Sequence, residues 1–271
     1  MNPEPFILSP ILNLPPSFGS AYVGETFSCT LCANHDILDP DASKKTVRDV
    51  RIEAEMKTPN SPAVTKLDLE PDHDGLGTAK GIDLDPGQTL QKVVNFDLKE
   101  EGNHVLAVTV SYYEATDVSG RTRTFRKLYQ FICKASLIVR TKPGPLSAAK
   151  NGAQRWALEA QLENCSEDAI QLERIGLETE PGLTYHDCNW EASGSLKPIL
   201  QPGEVEQVCF VVEEITPGSA GSSPEKPQDG RIALGVMCIG WRGEMGNKGF
   251  LTTGKLGTRH VNVPVRTKAA E

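Results

Sequence analysis

The chain has 271 residues, of which 38 % are hydrophobic and 24 % charged, with a formal net charge of −8. That is the composition of a globular protein long enough to form two domains with real cores. It excludes a nucleic-acid binder built on basic surface: residues 1–140 hold 15 basic and 19 acidic side chains, and residues 141–271 hold 13 and 17.

The N-terminus, Met1-Asn2-Pro3-Glu4-Pro5, has no basic region before its short apolar stretch, and Pro10 interrupts that stretch. It does not read as a secretion signal. No apolar run approaches the roughly 20 residues that span a bilayer. The first predicted strand is Thr26–Cys32, where apolar and polar residues alternate. Val47–Met56 follows, alternating only from Val50 onward. Leu84-x-Pro86-Gly87 then turns into the apolar run ending Val93-Val94-x-Phe96. His104–Tyr113 is a long alternating run rich in β-branched and aromatic residues. It pairs as a hairpin with Arg121–Ile132 across a polar stretch ending Ser119-Gly120.

Leu137-Ile138-Val139 opens a second series, and Lys142-Pro143-Gly144-Pro145 is expected to leave it through a loop. Ala157–Glu163 has helix propensity, but it precedes Asn164-Cys165-Ser166 as Phe27–Ala33 precedes Asn34-His35-Asp36, so it is assigned as strand. Leu200-x-Pro202-Gly203 leads into Val208–Val212. Thr216–Gly230, rich in Pro, Gly and Ser, is expected to be a mobile loop. Ile232–Trp241 and Phe250–Leu256 form a second hairpin.

These landmarks repeat. Val139-Arg140-Thr141-Lys142 recurs as Val265-Arg266-Thr267-Lys268 at an offset of 126. The Leu-x-Pro-Gly turns, Gly102 with Gly230 and Phe125 with Phe250 recur in the same order, 116 to 128 residues apart. The expectation is an all-β chain of two tandem immunoglobulin-like β-sandwich domains, residues 1–136 and 137–271. Val261–Val265 is positioned to begin a third.

The seven cysteines do not repeat between the copies, and most lie in apolar runs where a reduced thiol packs as a small hydrophobe. A reducing cytosolic compartment follows. Cys29-x-x-Cys32 lacks the second pair of ligands a zinc site needs, and residues three apart on a strand point to opposite faces. Asp72-His73-Asp74-Gly75 lacks the further ligands of a calcium loop. Glu100-Glu101 and Glu213-Glu214 read as solvated charge. Asn164-Cys165-Ser166 matches a glycosylation sequon and reads as a turn. No nucleophile elbow, zinc-protease helix or phosphate loop is present. No metal, cofactor or catalytic residue is therefore expected.

The candidate interaction surface is the basic cluster Arg121, Arg123, Arg126 and Lys127. Arg121 and Arg123 share a strand face with Phe125. The alternation breaks between Phe125 and Lys127, which predicts a β-bulge near Arg126. The charged half of the strand would then project and the aromatic half enter the core. The bland reading, a solvated edge guarded by charge, stands ahead of an acidic partner or an anionic membrane.

The ordered set of motifs resembles the trafficking protein particle (TRAPP) complex subunit 13 family. The matching stretches are Leu14–Gly19 with Gly24–Phe27, Glu101–Leu106 with Val110–Tyr112, Phe125–Lys127, Leu158–Asn164, Leu200–Pro202 and Trp241–Leu256. The resemblance implies a non-catalytic cytoplasmic subunit of a vesicle-tethering complex, peripherally associated with Golgi and ER–Golgi membranes. Its implied partners are other TRAPP subunits and, through them, Rab GTPases in ER–Golgi traffic, Golgi traffic and autophagy. Members of the family continue into a further β-rich domain, which this chain would lack. The competing classes are an extracellular adhesion or carbohydrate-binding module and the accessory domains of an enzyme.

Overall fold

In the computed structural model, residues 21–35, 46–69, 81–116, 118–215 and 231–259 are described. They are strands and turns throughout, with one four-residue helix, α1 (Trp190–Ser193). The sites Asp72–Gly75, Thr216–Gly230 and Val261–Val265 lie outside the described residues. The chain divides into two compact units, Met1–Lys134 and Ala135–Glu271.

The first unit holds β1 (Ala21–Tyr22), β2 (Thr26–Asn34), β3 (Thr46–Lys57), β4 (Val64–Leu67), β5 (Ile82–Leu84), β6 (Thr89–Asp97), β7 (Gly102–Ala115) and β8 (Gly120–Lys134). One sheet runs β1-β8-β7-β3-β4, with β5 also on β3; a second pairs β2 with β6. Apolar side chains from both sheets meet in one core: Phe27, Leu90 and Val94 from the small sheet, Ala54, Met56, Leu106 and Val110 from the large one. Phe27 stacks on Phe131 at 4.7 Å between ring centroids, and His104, fully buried, stacks on the same Phe131 at 5.4 Å.

The late start of alternation in β3 has a physical cause. The β3–β7 register shifts between Arg48 and Arg51. Asp49 occupies the bulge at φ +50°, a conformation that Asp tolerates better than most residues. Its carboxylate accepts hydrogen bonds from the Arg51 guanidinium at 2.9 Å and the Gly81 amide at 3.0 Å. Only beyond this bulge do successive residues regain opposite faces.

The second unit holds β9 (Leu137–Leu146), β10 (Arg155–Asn164), β11 (Ile170–Thr179), β12 (Leu183–Asp187), β13 (Ile199–Leu200), β14 (Val205–Glu214), β15 (Arg231–Gly243), β16 (Lys248–Thr252) and β17 (Leu256–Arg259). Its sheets are β12-β14-β10-β9 and β13-β11-β15-β16, with β17 also on β15. Trp156, Leu158, Phe210, Leu172, Ile239 and Trp241 fill the space between them.

Pro143-Gly144-Pro145 does not leave β9 as the sequence suggested. The strand continues through it, with Pro143 opposite Leu158 and Pro145 opposite Trp156. β9 is the last strand of its sheet, and an edge strand accommodates a residue that cannot donate to a ladder on one side. Asn164 is fully buried. Its Nδ2 donates to the carbonyls of Asp168 and Leu200, both at 2.9 Å, and its Oδ1 accepts from the Ser166 amide. The sequon match is thus a side chain committed to holding a turn.

The two units share a pairing pattern. β2 pairs with β6 as β10 pairs with β14, and β8-β7-β3 are ordered like β16-β15-β11.

Candidate interaction surface: the open side of the first unit

β8 carries the basic cluster, and its register with β7 is continuous from Gly102 opposite Cys133 to Ala115 opposite Gly120. The bulge expected near Arg126 is absent. Strict alternation follows, and directly opposed residues share a face. Leu106 opposes Tyr129, Val108 opposes Lys127, Val110 opposes Phe125, Tyr112 opposes Arg123 and Glu114 opposes Arg121. Arg121, Arg123, Phe125, Lys127 and Tyr129 therefore lie on the same face as the core residues of β7, and Arg126 lies on the other.

The expected division of β8 into a projecting half and a core half needs the matching correction. Only Phe131 and Cys133 of β8 are buried. Phe125 is 47 % exposed and Tyr129 37 %, although both point to the core side. The reason is that the small sheet does not extend over them. Between β2 and β8 lies a groove of about 520 Å³, lined by Cys29–His35, Val108, Val110, Tyr112, Phe125, Lys127 and Tyr129 among others. Charges facing a core side are tolerated where that side stays open, and they discourage indiscriminate edge pairing.

The cations are only partly neutralised. Glu114 serves both Arg123, at 3.0 Å, and Arg121, at 3.5 Å. On the opposite face Arg126 reaches diagonally across β7 to Glu55 at 2.7 Å. Two of the three groove-side cations, Arg121 and Arg123, thus share one carboxylate. Sequence reasoning found these cations but missed the groove floor and both carboxylates, because the partners come from other strands.

The two ends of Cys29-x-x-Cys32 behave differently: Cys29 is half-buried and Cys32 exposed. Burial pushes the Cys29 thiol up to about 11, which disfavours thiolate chemistry near neutral pH. Among the described residues no group of three or more His, Cys, Asp or Glu could hold a metal ion. Nor is any helix among them long and apolar enough to cross a membrane. Glu100 accepts from the Asn60 amide at 3.2 Å and Glu214 from the Gln154 amide at 3.3 Å, so these carboxylates have structural partners. His35 contacts the Leu84 carbonyl at 2.9 Å.

Comparison with known proteins finds relatives along both units. The family described as trafficking protein particle complex subunit 13, N-terminal, matches residues 1–133, and its middle-domain counterpart matches residues 137–261. Trafficking protein particle complex subunit 13 of Xenopus laevis is 28 % identical over 269 residues, covering 93 % of this chain and 57 % of the relative. The Danio rerio protein is 27 % identical with the same coverage of both chains. The probable Drosophila melanogaster homologue is 26 % identical, covering 91 % of this chain and 52 % of its own. The chain thus spans a little over half the length of these relatives. Among solved structures, the major pilin SpaD of Corynebacterium diphtheriae is similar over 86 % of this chain and 65 % of its own, at 11 % identity and a TM-score of 0.25. That likeness is too slight to speak to function. Matched in sequence from residue 1 to residue 261, the chain belongs to the trafficking protein particle complex subunit 13 family.

Proposed function

We propose that this chain is a non-catalytic subunit of a TRAPP vesicle-tethering complex, built as two tandem immunoglobulin-like sandwiches that arose by duplication. It acts in the cytoplasm, peripherally on Golgi and ER–Golgi membranes, in ER–Golgi and Golgi traffic and autophagy, through contacts with other TRAPP subunits. Rab GTPases are reached only through the assembled complex. Family membership over both units is the observation that carries this reading. The shared pairing pattern of the two units supports the duplication, and an odd number of cysteines, seven, that do not repeat between the copies fits a reducing compartment.

The contact surface is the open side of the first unit, and its occupant is an extended acidic–apolar segment of a neighbouring subunit. Two features support this. Among the described residues β2 pairs only with β6, whereas its counterpart β10 has β14 on one side and β9 on the other. Strand addition along β2 would complete the same arrangement. The groove side also carries Arg121, Arg123 and Lys127, with Glu114 bridging the first two, so acidic side chains flanking the added strand would find complementary charge.

Co-purification of the full-length protein from source cells tests this directly. TRAPP subunits should be recovered with the wild type and reduced with Tyr129→Glu, which places a charge on the groove floor. Arg121→Glu with Arg123→Glu should weaken recovery most at low salt. Unchanged recovery with both variants would show that the surface is only a solvated edge. Recovery that rises when residues 1–20 are removed would make the chain's own N-terminal segment the occupant. The purified chain alone should leave Rab nucleotide release at its intrinsic rate; acceleration would overturn the non-catalytic reading.

A further inference from the structure

Two thiols of the second unit stand side by side. The β12–β14 register places Asp187 opposite Phe210, and the next pair outward is Cys188 opposite Cys209. The Cys188 amide donates to the Cys209 carbonyl at 3.2 Å, so the two backbones are in ladder contact. Opposed residues of an antiparallel pair project to the same side, and hydrogen-bonded pairs have Cα atoms about 5.5 Å apart, inside the range of about 4.4–6.8 Å that a disulfide spans. That side faces solvent: Cys188 is exposed and Cys209 half-buried, while the neighbours Val208 and Phe210 point into the core.

The pair is also held in place. Asn189, itself buried, accepts a hydrogen bond from the Cys209 amide at 2.8 Å through its Oδ1. The next residue, Trp190, is buried and begins α1. Neither cysteine can drift without unseating this corner. Cys29 and Cys32 offer the contrast, since three positions along one strand separate them.

We propose that Cys188 and Cys209 form a dithiol site for low-molecular-weight disulfides such as glutathione disulfide, closing into a reversible cross-strand disulfide that pins β12 to β14. The Cys188 thiol, the more accessible, loses its proton and attacks one sulfur of glutathione disulfide. The glutathione S–S bond breaks and one glutathione leaves as its thiolate. The Cys209 thiol then gives up its proton and attacks the Cys188 sulfur of the mixed disulfide, and the second glutathione leaves. Two protein thiols are oxidised, one glutathione disulfide is reduced, and the two protons end on the two glutathiones. Burial raises the Cys209 thiol, so the more exposed Cys188 attacks first and Cys209 follows once Cys188 carries the mixed disulfide. Excess glutathione reverses both steps.

The test treats the purified full chain with glutathione disulfide under native conditions, alkylates the remaining thiols and maps the peptides by mass spectrometry. The wild type should lose two hydrogens, link the peptides bearing Cys188 and Cys209, and retain no glutathione. Cys209→Ser should instead hold one glutathione on Cys188, and Cys188→Ser should slow modification of Cys209 about tenfold. Circular dichroism of both variants should match the wild type, as serine is nearly isosteric at these surface positions. Amide exchange over Leu183–Asp187 should slow on oxidation and recover with glutathione. Wild-type protein that retains glutathione on Cys188, that links either cysteine elsewhere, or whose β12 exchange is unmoved would overturn the proposal.

Discussion

The two units pair their strands alike and cover their cores differently. In the second, β10 lies between β9 and β14, and the four-stranded sheet spans the core. In the first, β2 and β6 stand as a two-stranded sheet among the described residues, and the inner face of β8 is left open beyond Phe131. Inward-facing positions therefore carry different weight. Trp241 of β15 is 1 % exposed, whereas Phe125, on the equally inward face of β8, is 47 % exposed. The difference teaches that a strand's inward face becomes core only where the opposing sheet reaches it, and stays exposed where it does not.

The sharpest way to break this comparison is to truncate one aromatic in each unit. Trp241→Ala should cost about 3–5 kcal/mol, because a large side chain leaves a cavity in a closed core. Phe125→Ala should cost under about 1 kcal/mol, because its site is already half solvated. Chemical denaturation of both variants checks this, and equal losses would mean that the first unit is closed after all. Gly249→Ala should mimic the Trp241 effect, since a Cβ there would sit 2.1 Å from the Trp241 ring.

A second contrast concerns two asparagines at matching strand ends. Asn164→Ala should cost about 3 kcal/mol, since it strands buried backbone groups without partners. Asn34, exposed at the end of β2, accepts a hydrogen bond from Thr89 Oγ1 at 2.8 Å. Asn34→Ala should cost under about 1 kcal/mol in the same denaturation assay.

Alkaline pH should separate the units further. Burial raises both Cys29 and Cys133 from 9.0 to about 11 in the first unit. A thiol whose folded value lies above its unfolded value contributes stability that is complete below the unfolded value and disappears as pH rises through the folded one. Stability should fall between about pH 9 and pH 11, and the replacement Cys29→Ser with Cys133→Ser should flatten that fall. Denaturation midpoints across this range provide the measurement; an unchanged slope would count against it.

The smallest expected effect is that of the surface ion pair. Arg126→Ala should change stability by no more than about 1 kcal/mol, because Arg126 is half exposed and solvent competes for it. Arg242→Ala, which breaks the 2.8 Å pair with Glu173 in the second unit, should behave the same way. A double-mutant cycle for each pair would sharpen the comparison by showing that exposed charge does not distinguish the units.

Strand content was legible in the sequence because alternation is a local property with a period of two. It assigned Ala157–Glu163 to a strand against its helix propensity, and β10 covers that stretch. It placed both hairpins, and it marked Val50 as the start of regular alternation without revealing that Asp49 bulges. It also erred where local chemistry pointed away from the pairing: Pro143 and Pro145 stay in an edge strand, and β8 runs straight past Arg126. Lys127 looked out of phase because a cation sat where an apolar residue was expected. What the sequence by itself determined was the all-β class, the hairpins and the family likeness, all of which rest on near-neighbour pattern and collinear order. Tertiary structure alone decided which inward faces are covered, which carboxylate answers which arginine, and that Cys188 meets Cys209 across two strands. Those depend on pairing between residues on different strands, and local periodicity holds no information about which strands meet.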